Sequence, residues 1–268
     1  MNFGLVIIGD EILSGKRADK HLAKAIELLG ARGLQVAYAD YVGDAPERIT
    51  ATLQRAFASG DVVFSFGGIG ATPDDHTRQC AARALGRALV LHPQAELLIR
   101  ERMQDVAREQ GLPYEPDRSD NIHRLNMGMF PDGCAIIPNP YNKIPGFSCV
   151  GERGGVHFVP GFPVMAWPMV EWVLDTHYPH LFVTEAWIEQ SVVVFGAMEA
   201  TLTPLMESIE RQHDVKVFSQ PSVDHPQYGK HIELGVKGAP APVATAYQHL
   251  LQGLRVHQVS LGPELVRK

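Results

Sequence analysis

The residue types best suited to chemistry fall in one run, Gly67-Gly68-Ile69-Gly70-Ala71-Thr72-Pro73-Asp74-Asp75-His76-Thr77. Glycines let a backbone approach an anion closely, and the N–H groups that open a helix satisfy phosphate oxygens. Asp74 and Asp75 would repel such a phosphate unless a divalent cation stood between them. Mg²⁺ suits that arrangement, taking one or two carboxylates together with water and phosphate oxygens. The same letters also fit a glycine-rich turn with an aspartate capping a helix, and glycine count alone does not choose between the two. A second acidic run, Gly9-Asp10-Glu11-Ile12-Leu13-Ser14-Gly15, is followed by Asp19-Lys20-His21. Asp10, Glu11 and Asp19 are either further carboxylates for the same ion or a solvated loop with Asp19 as an N-cap. His76 is either an acid or base, given its ordinary titration near neutrality, or a surface histidine.

These runs need elements to hold them. Phe3 to Ile8 reads as a buried strand, Asp19 to Arg32 as a helix with Leu22, Ile26 and Leu29 at helical spacing, and Leu34 to Val42 as a strand. Pro46 to Ser59 reads as a helix, Val62 to Phe66 as a strand, and Thr77 to Leu85 and Pro93 to Gln110 as helices. Strands alternating with helices imply an α/β fold with a mostly parallel sheet covered on both faces. Both acidic runs follow a strand, so both open onto the carboxyl edge of that sheet, where ligands bind. From Gly111 the chain becomes dense in Pro and Gly, then Gly155 to Val159 reads as a strand before a helix to about His177. Trp167 and Trp172 fall on that helix and read as core. Tyr178-Pro179 is the expected boundary, giving domains of residues 1–178 and 179–268. The second reads as β-α-β-β-α-β, with strands over Trp187–Phe195, Val215–Ser219, His231–Val236 and Val256–Ser260 and helices over Met198–Gln212 and Val243–Leu251.

Composition narrows the classes. A chain of 268 residues fits one large or two smaller domains, and 45% hydrophobic with 20% charged residues is ordinary for a globular protein. The net charge of −6 argues against a nucleic-acid binder. Cys80, Cys134 and Cys149 are widely spaced and odd in number, with no CxxC or zinc spacing, so unpaired thiols in a reducing cytoplasm are expected. No histidine pair has HxxxH or HxH spacing, so no transition-metal site is read. The N-terminal residues lack a basic region and read as a strand, not a signal peptide. The most apolar stretch, Phe158 to Val170, is interrupted by prolines and too short to span a bilayer.

Taken in order, GDEILSG, Asp19-x-His21, Val42-Gly43-Asp44 and GGIGATPDDHT resemble the amino-terminal domain of the CinA (competence/damage-inducible) family, part of the wider MoaB/Mog group of molybdopterin-binding folds. Asn139-Pro140-Tyr141-Asn142-Lys143-Ile144-Pro145-Gly146-Phe147 resembles that family's N-x-x-G-x-A-P-G-F, and Val159-Pro160-Gly161-Phe162-Pro163 its L-P-G-P-P. The match covers about the first 175 residues, and the remainder of the chain resembles the family's small KH-type α+β domain. With the sequence ending at Lys268, the carboxy-terminal deamidase of longer relatives is not expected. The resemblance implies a site for a nucleotide or pterin phosphate. Gly67, Gly68, Gly70, Thr72 and Thr77 would bind the phosphate, with Asn139 and Lys143 contributing from the second loop and Tyr141 stacking on a base. Asp75 is the first catalytic and metal candidate, Asp74 the second catalytic one, and Glu11 and Asp19 match acidic positions that would complete a Mg²⁺, Mn²⁺ or Co²⁺ site. Asn139 to Lys143 could equally be a rigid Pro-rich turn.

This sequence departs from the pattern at His21 (for Asn), Ala71 (for Pro), Asn142 (for Gly, with a left-handed backbone expected there) and Val164-Met165 (for Glu-Met). Three functions remain open: a metal-dependent pyrophosphatase on ADP-ribose- or FAD-like dinucleotides, a molybdopterin-binding or adenylyl-transferring protein, and a non-catalytic ligand-binding domain. From Glu185 onward seven basic residues stand against nine acidic ones, so RNA binding by the second domain is not expected. The relatives imply a homo-oligomer, a dimer by CinA resemblance or a trimer by Mog resemblance.

Overall fold

Phe3-Gly4-Leu5-Val6-Ile7-Ile8 is apolar throughout because both faces of its strand are covered: Phe3, Leu5 and Ile7 enter one core, Val6 and Ile8 the other. The computed structural model describes residues 1–152, 154–183 and 187–267. In its first unit the elements run β1 (Phe3–Ile8), α1 (Asp10–Leu13), α2 (His21–Gly30), β2 (Val36–Val42), α3 (Pro46–Ser59), β3 (Val62–Phe66), α4 (Thr77–Leu85), β4 (Leu89–Leu91), α5 (Pro93–Glu109) and α6 (Ser119–Arg124). Next come β5 (Met129–Pro131), β6 (Ala135–Ile137), β7 (Gly146–Val150), β8 (Gly155–Val159) and α7 (Pro163–His177). The sheet order is β2-β1-β3-β8-β7-β6, with the first four strands parallel and β7 and β6 antiparallel at one edge. β4 and β5 pair separately as an antiparallel ribbon.

The two cores lie on opposite faces of this sheet. Ala25, Leu28 and Leu29 of α2 and Met169, Val170, Val173 and Leu174 of α7 join one. Ile49, Leu53 and Ala56 of α3 and Cys80 and Ala81 of α4 join the other. On α2 the buried stripe runs through Ala25, Leu28 and Leu29, and Ile26, expected inward, is 54% exposed. Trp167 and Trp172 are partly buried against the first core.

The expectation of unpaired cysteines is corrected for two of the three. In the β6–β7 register Ala135 faces Ser148, which brings Cys134 opposite Cys149, and the two form a disulfide with Cα atoms 4.9 Å apart. The pairing depends on a hairpin hidden in the Pro- and Gly-dense segment. Cys80 is a buried free thiol.

The units part between Phe182 and Val183, not at Tyr178-Pro179. The physical reason is packing: Tyr178 is buried in the first unit's core, with Leu181 and Phe182 packed on it. The second unit runs β9 (Ile188–Phe195), α8 (Glu199–Gln212), β10 (Lys216–His225), β11 (Gly229–Gly238), α9 (Pro240–Val256) and β12 (Ser260–Arg267). This is a small α+β sandwich whose antiparallel sheet has the order β10-β11-β9-β12, the split-βαβ arrangement. The expected last strand over Val256–Ser260 is shifted. The buried spacing Val243, Ala246, Tyr247, Leu250, Leu254 carries α9 past Leu251 to Val256, and the strand starts only at Ser260. Among the described residues no helix is long and apolar enough to cross a membrane.

Candidate functional site

Four parallel strands deliver their carboxyl ends to one edge. β1 runs into Gly9, β2 into Gly43-Asp44, β3 into Gly67 and β8 into Pro160-Gly161. β1 has β2 on one side and β3 on the other, so the winding reverses beside it, and such a reversal leaves a crevice where ligands bind. A cleft of about 420 Å³ opens there, walled by Gly9, Glu11, Arg17, Asp44, the loop from Gly67 to Asp75, Asn139, Asn142 and the Pro160–Phe162 turn.

The glycine loop is shaped by positive backbone angles. Gly67 and Gly68 have φ of 95° and 69°, a region that costs any side-chain-bearing residue strain. A side chain at Gly67 would also meet the Ile8 carbonyl, and one at Gly68 the Thr77 hydroxyl. Thr77 is fully buried beneath the loop. Its hydroxyl donates to the Gly67 carbonyl at 3.1 Å and its amide to the Gly68 carbonyl at 3.0 Å, so it shapes the loop and does not line the cleft. The Thr72 amide and hydroxyl both donate to Asp75 Oδ2, at 2.8 and 2.6 Å. Asp75 thus closes the turn with one oxygen. The amides of Gly68, Ile69, Gly70 and Ala71 donate to no protein group among the described residues. They form a row of donors of the kind that cradles phosphate.

Arg78, which no sequence motif singles out, lies 97% buried below this loop, as its 3% exposure shows. Its Nη1 donates to the Ile69 carbonyl, and its Nε has no partner. Burial pulls its pKa down to about 10, against the pull of Asp75, so it remains a cation at neutral pH. A signal for it exists: α4 buries Thr77, Cys80 and Ala81 on one side, and Arg78 stands next to that stripe.

The acidic wall comes from the first two strand ends. The Asp10 amide donates to Asp44 Oδ2 at 2.9 Å and the Asp44 amide to Asp10 Oδ1 at 3.2 Å, locking the β1 and β2 ends together. Burial raises the Asp44 carboxyl above the usual carboxylate range, the Asp10 amide opposes this, and the charges of Asp10, Glu11 and Asp74 raise it further. A cation placed here would relieve that crowding. Glu11 borders the cleft beside Arg17, 4.0 Å away. Asp19 does not. Its Oδ1 accepts from the His21 amide, and its Oδ2 from the Leu22 amide and the Tyr41 hydroxyl, so it caps α2. His21 is buried, stacks on Phe66 at 4.4 Å and bonds the Gly161 carbonyl through Nε2 at 3.2 Å. Burial lowers its pKa and keeps it neutral, so Nε2 is the donor.

The Asn139 loop spends its polar groups on itself. Asn139 accepts from the Tyr141 amide and donates to Asn142 Oδ1 and the Ile144 carbonyl, and Asn142 Oδ1 also accepts from the Ile144 amide. Lys143 turns away from the cleft: its ammonium donates to Asp105 Oδ2 at 2.7 Å and lies 3.6 Å from Glu101 on α5. The left-handed residue is Lys143, with φ of 65°, and not Asn142 as expected. Tyr141 is 63% exposed and does not line the cleft.

No three His, Cys, Asp or Glu side chains among the described residues lie close enough to hold a metal ion by themselves. Mg²⁺ at a phosphate does not require three, since phosphate oxygens and water complete its shell. Asp44, Asp74 and Asp75 on the cleft wall, with Asp44 crowded by like charge, fit that kind of shared site.

A family described as "Probable molybdopterin binding domain" matches residues 4–180. A CinA-like protein of Syntrophotalea carbinolica is 32% identical over 165 residues, 61% of this chain and 37% of that one. A protein of Pyrobaculum calidifontis is 30% identical over 244 residues, 89% of this chain and 87% of that one. The crystal structure of the protein CinA from Thermoplasma acidophilum is similar at 27% identity with a TM-score of 0.54, covering 65% of this chain and 96% of that one. The chain therefore spans 37% of the length of the Syntrophotalea relative and most of the Pyrobaculum one.

Proposed function

The chain belongs to the molybdopterin-binding-domain family, among its CinA-like members, and on that premise we propose that it is a metal-dependent pyrophosphatase that cleaves an ADP-ribose- or FAD-like dinucleotide. The observation that carries this reading is the row of amides from Gly68 to Ala71, unpaired among the described residues, in the wall of an acid-lined cleft at the sheet's switch point. Donors for a phosphate and carboxylates for its counter-cation occur there together.

The loop amides receive the phosphoryl oxygens and hold the charge that grows on them as water attacks one phosphorus. The bridging P–O bond then breaks, giving AMP and the second phosphate monoester. Asp75 keeps the turn closed through Thr72, and Arg78 holds the Ile69 carbonyl, which leaves the neighbouring amides for the ligand. Asp44, Asp74 and Asp75 would hold the divalent ion together with the phosphate oxygens and water. When bound, that ion supplies Lewis acidity toward the diphosphate and lowers the pKa of a water.

A second reading keeps the ligand site and drops the hydrolysis: the same loop would bind a pterin phosphate, either for adenylyl transfer or as a ligand-binding domain. What favours it is Asp19, which the sequence offers as a metal ligand and which is spent on capping α2.

The test incubates the protein with ADP-ribose or FAD and Mg²⁺, Mn²⁺ or Co²⁺, and measures AMP by chromatography. AMP that requires metal and is lost in Asp75→Ala supports the pyrophosphatase. No AMP from either substrate overturns it, and tight molybdopterin binding or ATP-dependent adenylylation would then establish the second reading.

A further inference from the structure

Beside the main cleft lies a smaller cavity of about 210 Å³. Ile8, Glu11, Arg17, Gly161 and Phe162 line both, so they stand at the neck where the two meet. The lobes differ in chemistry. The larger one carries the loop amides and the carboxylates, whereas the smaller one is walled mainly by Ile7, Ile8, Ile12, Phe66 and Phe162, with the neutral ring of His21 and with Lys20 as a cation on its own wall, outside the larger lobe. At about 210 Å³ it is below the roughly 300 Å³ at which pockets begin to take drug-sized ligands, so it accommodates one ring system and not a nucleotide.

Two side chains at the neck lack strong partners. Arg17 is the sole basic residue lining the larger lobe among the described residues. Its pairing with Glu11 is long, 4.0 Å, and exposed, with 58% of the Arg17 side chain accessible, so it yields readily to a phosphate that offers two oxygens. Phe162 is 56% exposed, although it precedes a helix whose other large side chains include fully buried ones. An exposed aromatic face beside a cation at the junction of a polar and an apolar lobe suits a ligand with a ring at one end and a phosphate at the other.

We infer that Arg17 and Phe162 form a clamp at this neck: Phe162 stacks on a planar heteroaromatic ring seated in the smaller lobe, and Arg17 binds the phosphate that joins the ring-bearing half to the glycine loop. The inference rests on the phosphate reading of that loop and adds the residues that select for a ring. It makes the site selective for nucleotide-like or pterin-like phosphates over simple sugar phosphates.

The test is calorimetric titration of the whole protein, in Mg²⁺, with AMP, ribose 5-phosphate and adenosine. Wild type should bind AMP more tightly than ribose 5-phosphate. Phe162→Ala should weaken AMP about tenfold, the scale of one base–aromatic stack, leave ribose 5-phosphate within about twofold, and be rescued by Phe162→Tyr. Arg17→Ala should weaken both phosphates about tenfold, flatten their salt dependence and leave adenosine unchanged. Both positions are exposed, so unchanged urea midpoints will show the variants folded. Equal binding of AMP and ribose 5-phosphate by wild type, or equal losses for the two in Phe162→Ala, overturns the clamp and leaves the loop as a phosphate site. No effect of Arg17→Ala also overturns it. Failure of wild type to bind either phosphate overturns the loop reading together with the clamp.

Discussion

The loop from Gly67 to His76 and the loop from Asn139 to Pro145 border the same cleft, and both are built of turn-forming residues. They spend their hydrogen bonds differently. In the second, both asparagines and the lysine are satisfied within the loop, by α5 or, for the Asn142 amide, by Met165 Sδ of α7, leaving little to offer a ligand. In the first, buried Thr77 and Arg78 and the Asp75 carboxylate fix the carbonyls and the turn from below, and four consecutive amides are left without a protein partner among the described residues. Polarity in a loop sequence therefore does not mark a binding surface. What matters is whether the polar atoms are used up in making the loop.

The largest expected effect tests the first loop. In Gly68→Ala the new methyl would collide with Thr77 and sit at a φ of 69°. The left-handed strain alone is ~1–2 kcal/mol, and relieving the clash turns the amides. AMP release should fall at least about a hundredfold, on the scale of losing an oxyanion donor. A variant that keeps more than a tenth of wild-type AMP release would show that the loop amides are not the site.

The second loop is held by its frame, not by a ligand. The Cys134–Cys149 disulfide spans 15 residues and encloses the whole Asn139 loop. By chain entropy a closure of that length contributes ~3 kcal/mol. Reduction should lower the urea-derived stability by about that amount and leave the KM for a dinucleotide within about twofold. A KM rising tenfold on reduction would make the second loop a binding element and erase the contrast.

The same frame has a pH signature. His157 on β8 is fully buried between Ser148 Oγ (2.8 Å) on β7 and the Tyr178 hydroxyl (2.7 Å), and burial, aided by the His177 charge, pushes its pKa down to about 3. The unfolded chain takes up this proton near pH 6.5, the folded one only near 3. Stability attributable to His157 is complete above pH 6.5 and falls as the pH drops through that window, by at most ~1.4 kcal/mol per pH unit. Urea titrations between pH 6.5 and 4 should show this slope, and it should flatten in His157→Gln. An unchanged slope in that variant would assign acid sensitivity to other groups.

The same contrast explains what is legible in the sequence. The parallel strands are legible because runs such as Phe3–Ile8 and Val62–Phe66 are short, β-rich and closed by glycine. The glycine loop is legible because Gly67 and Gly68 must adopt left-handed angles that few other residues take. Long-range pairing is not legible. Asp19 reads either as a metal carboxylate or as an N-cap; the cap, made to the nearby amides of His21 and Leu22, is the local half of its pairing, and only its third partner, Tyr41 on a neighbouring strand, is hidden. Arg17 carries no pattern; only the fold brings it to the neck of the cleft. The disulfide is hidden for the same reason, since its hairpin lies among residues whose Pro and Gly content obscures any strand period.

The smallest expected effect is the sharpest for the comparison. Lys143 is a cation in a loop beside a phosphate cleft, and by sequence it reads as a phosphate ligand. In the structure it is bound to Asp105 and Glu101, which hold its pKa above the usual lysine range, and Asp105 is in turn held below the carboxylate range by the Lys143 ammonium. The ammonium is exposed, so removing the pair in Lys143→Ala should leave the urea midpoint essentially unchanged. Lysine already bears the strain of the left-handed backbone at this position, and alanine bears no more, so the substitution adds none. AMP release and its salt dependence should stay within about twofold of wild type, whereas Arg17→Ala should change both. If the two variants lost affinity equally, Lys143 would have to leave Asp105 when ligand arrives, and the second loop would be a moving part of the site rather than its wall.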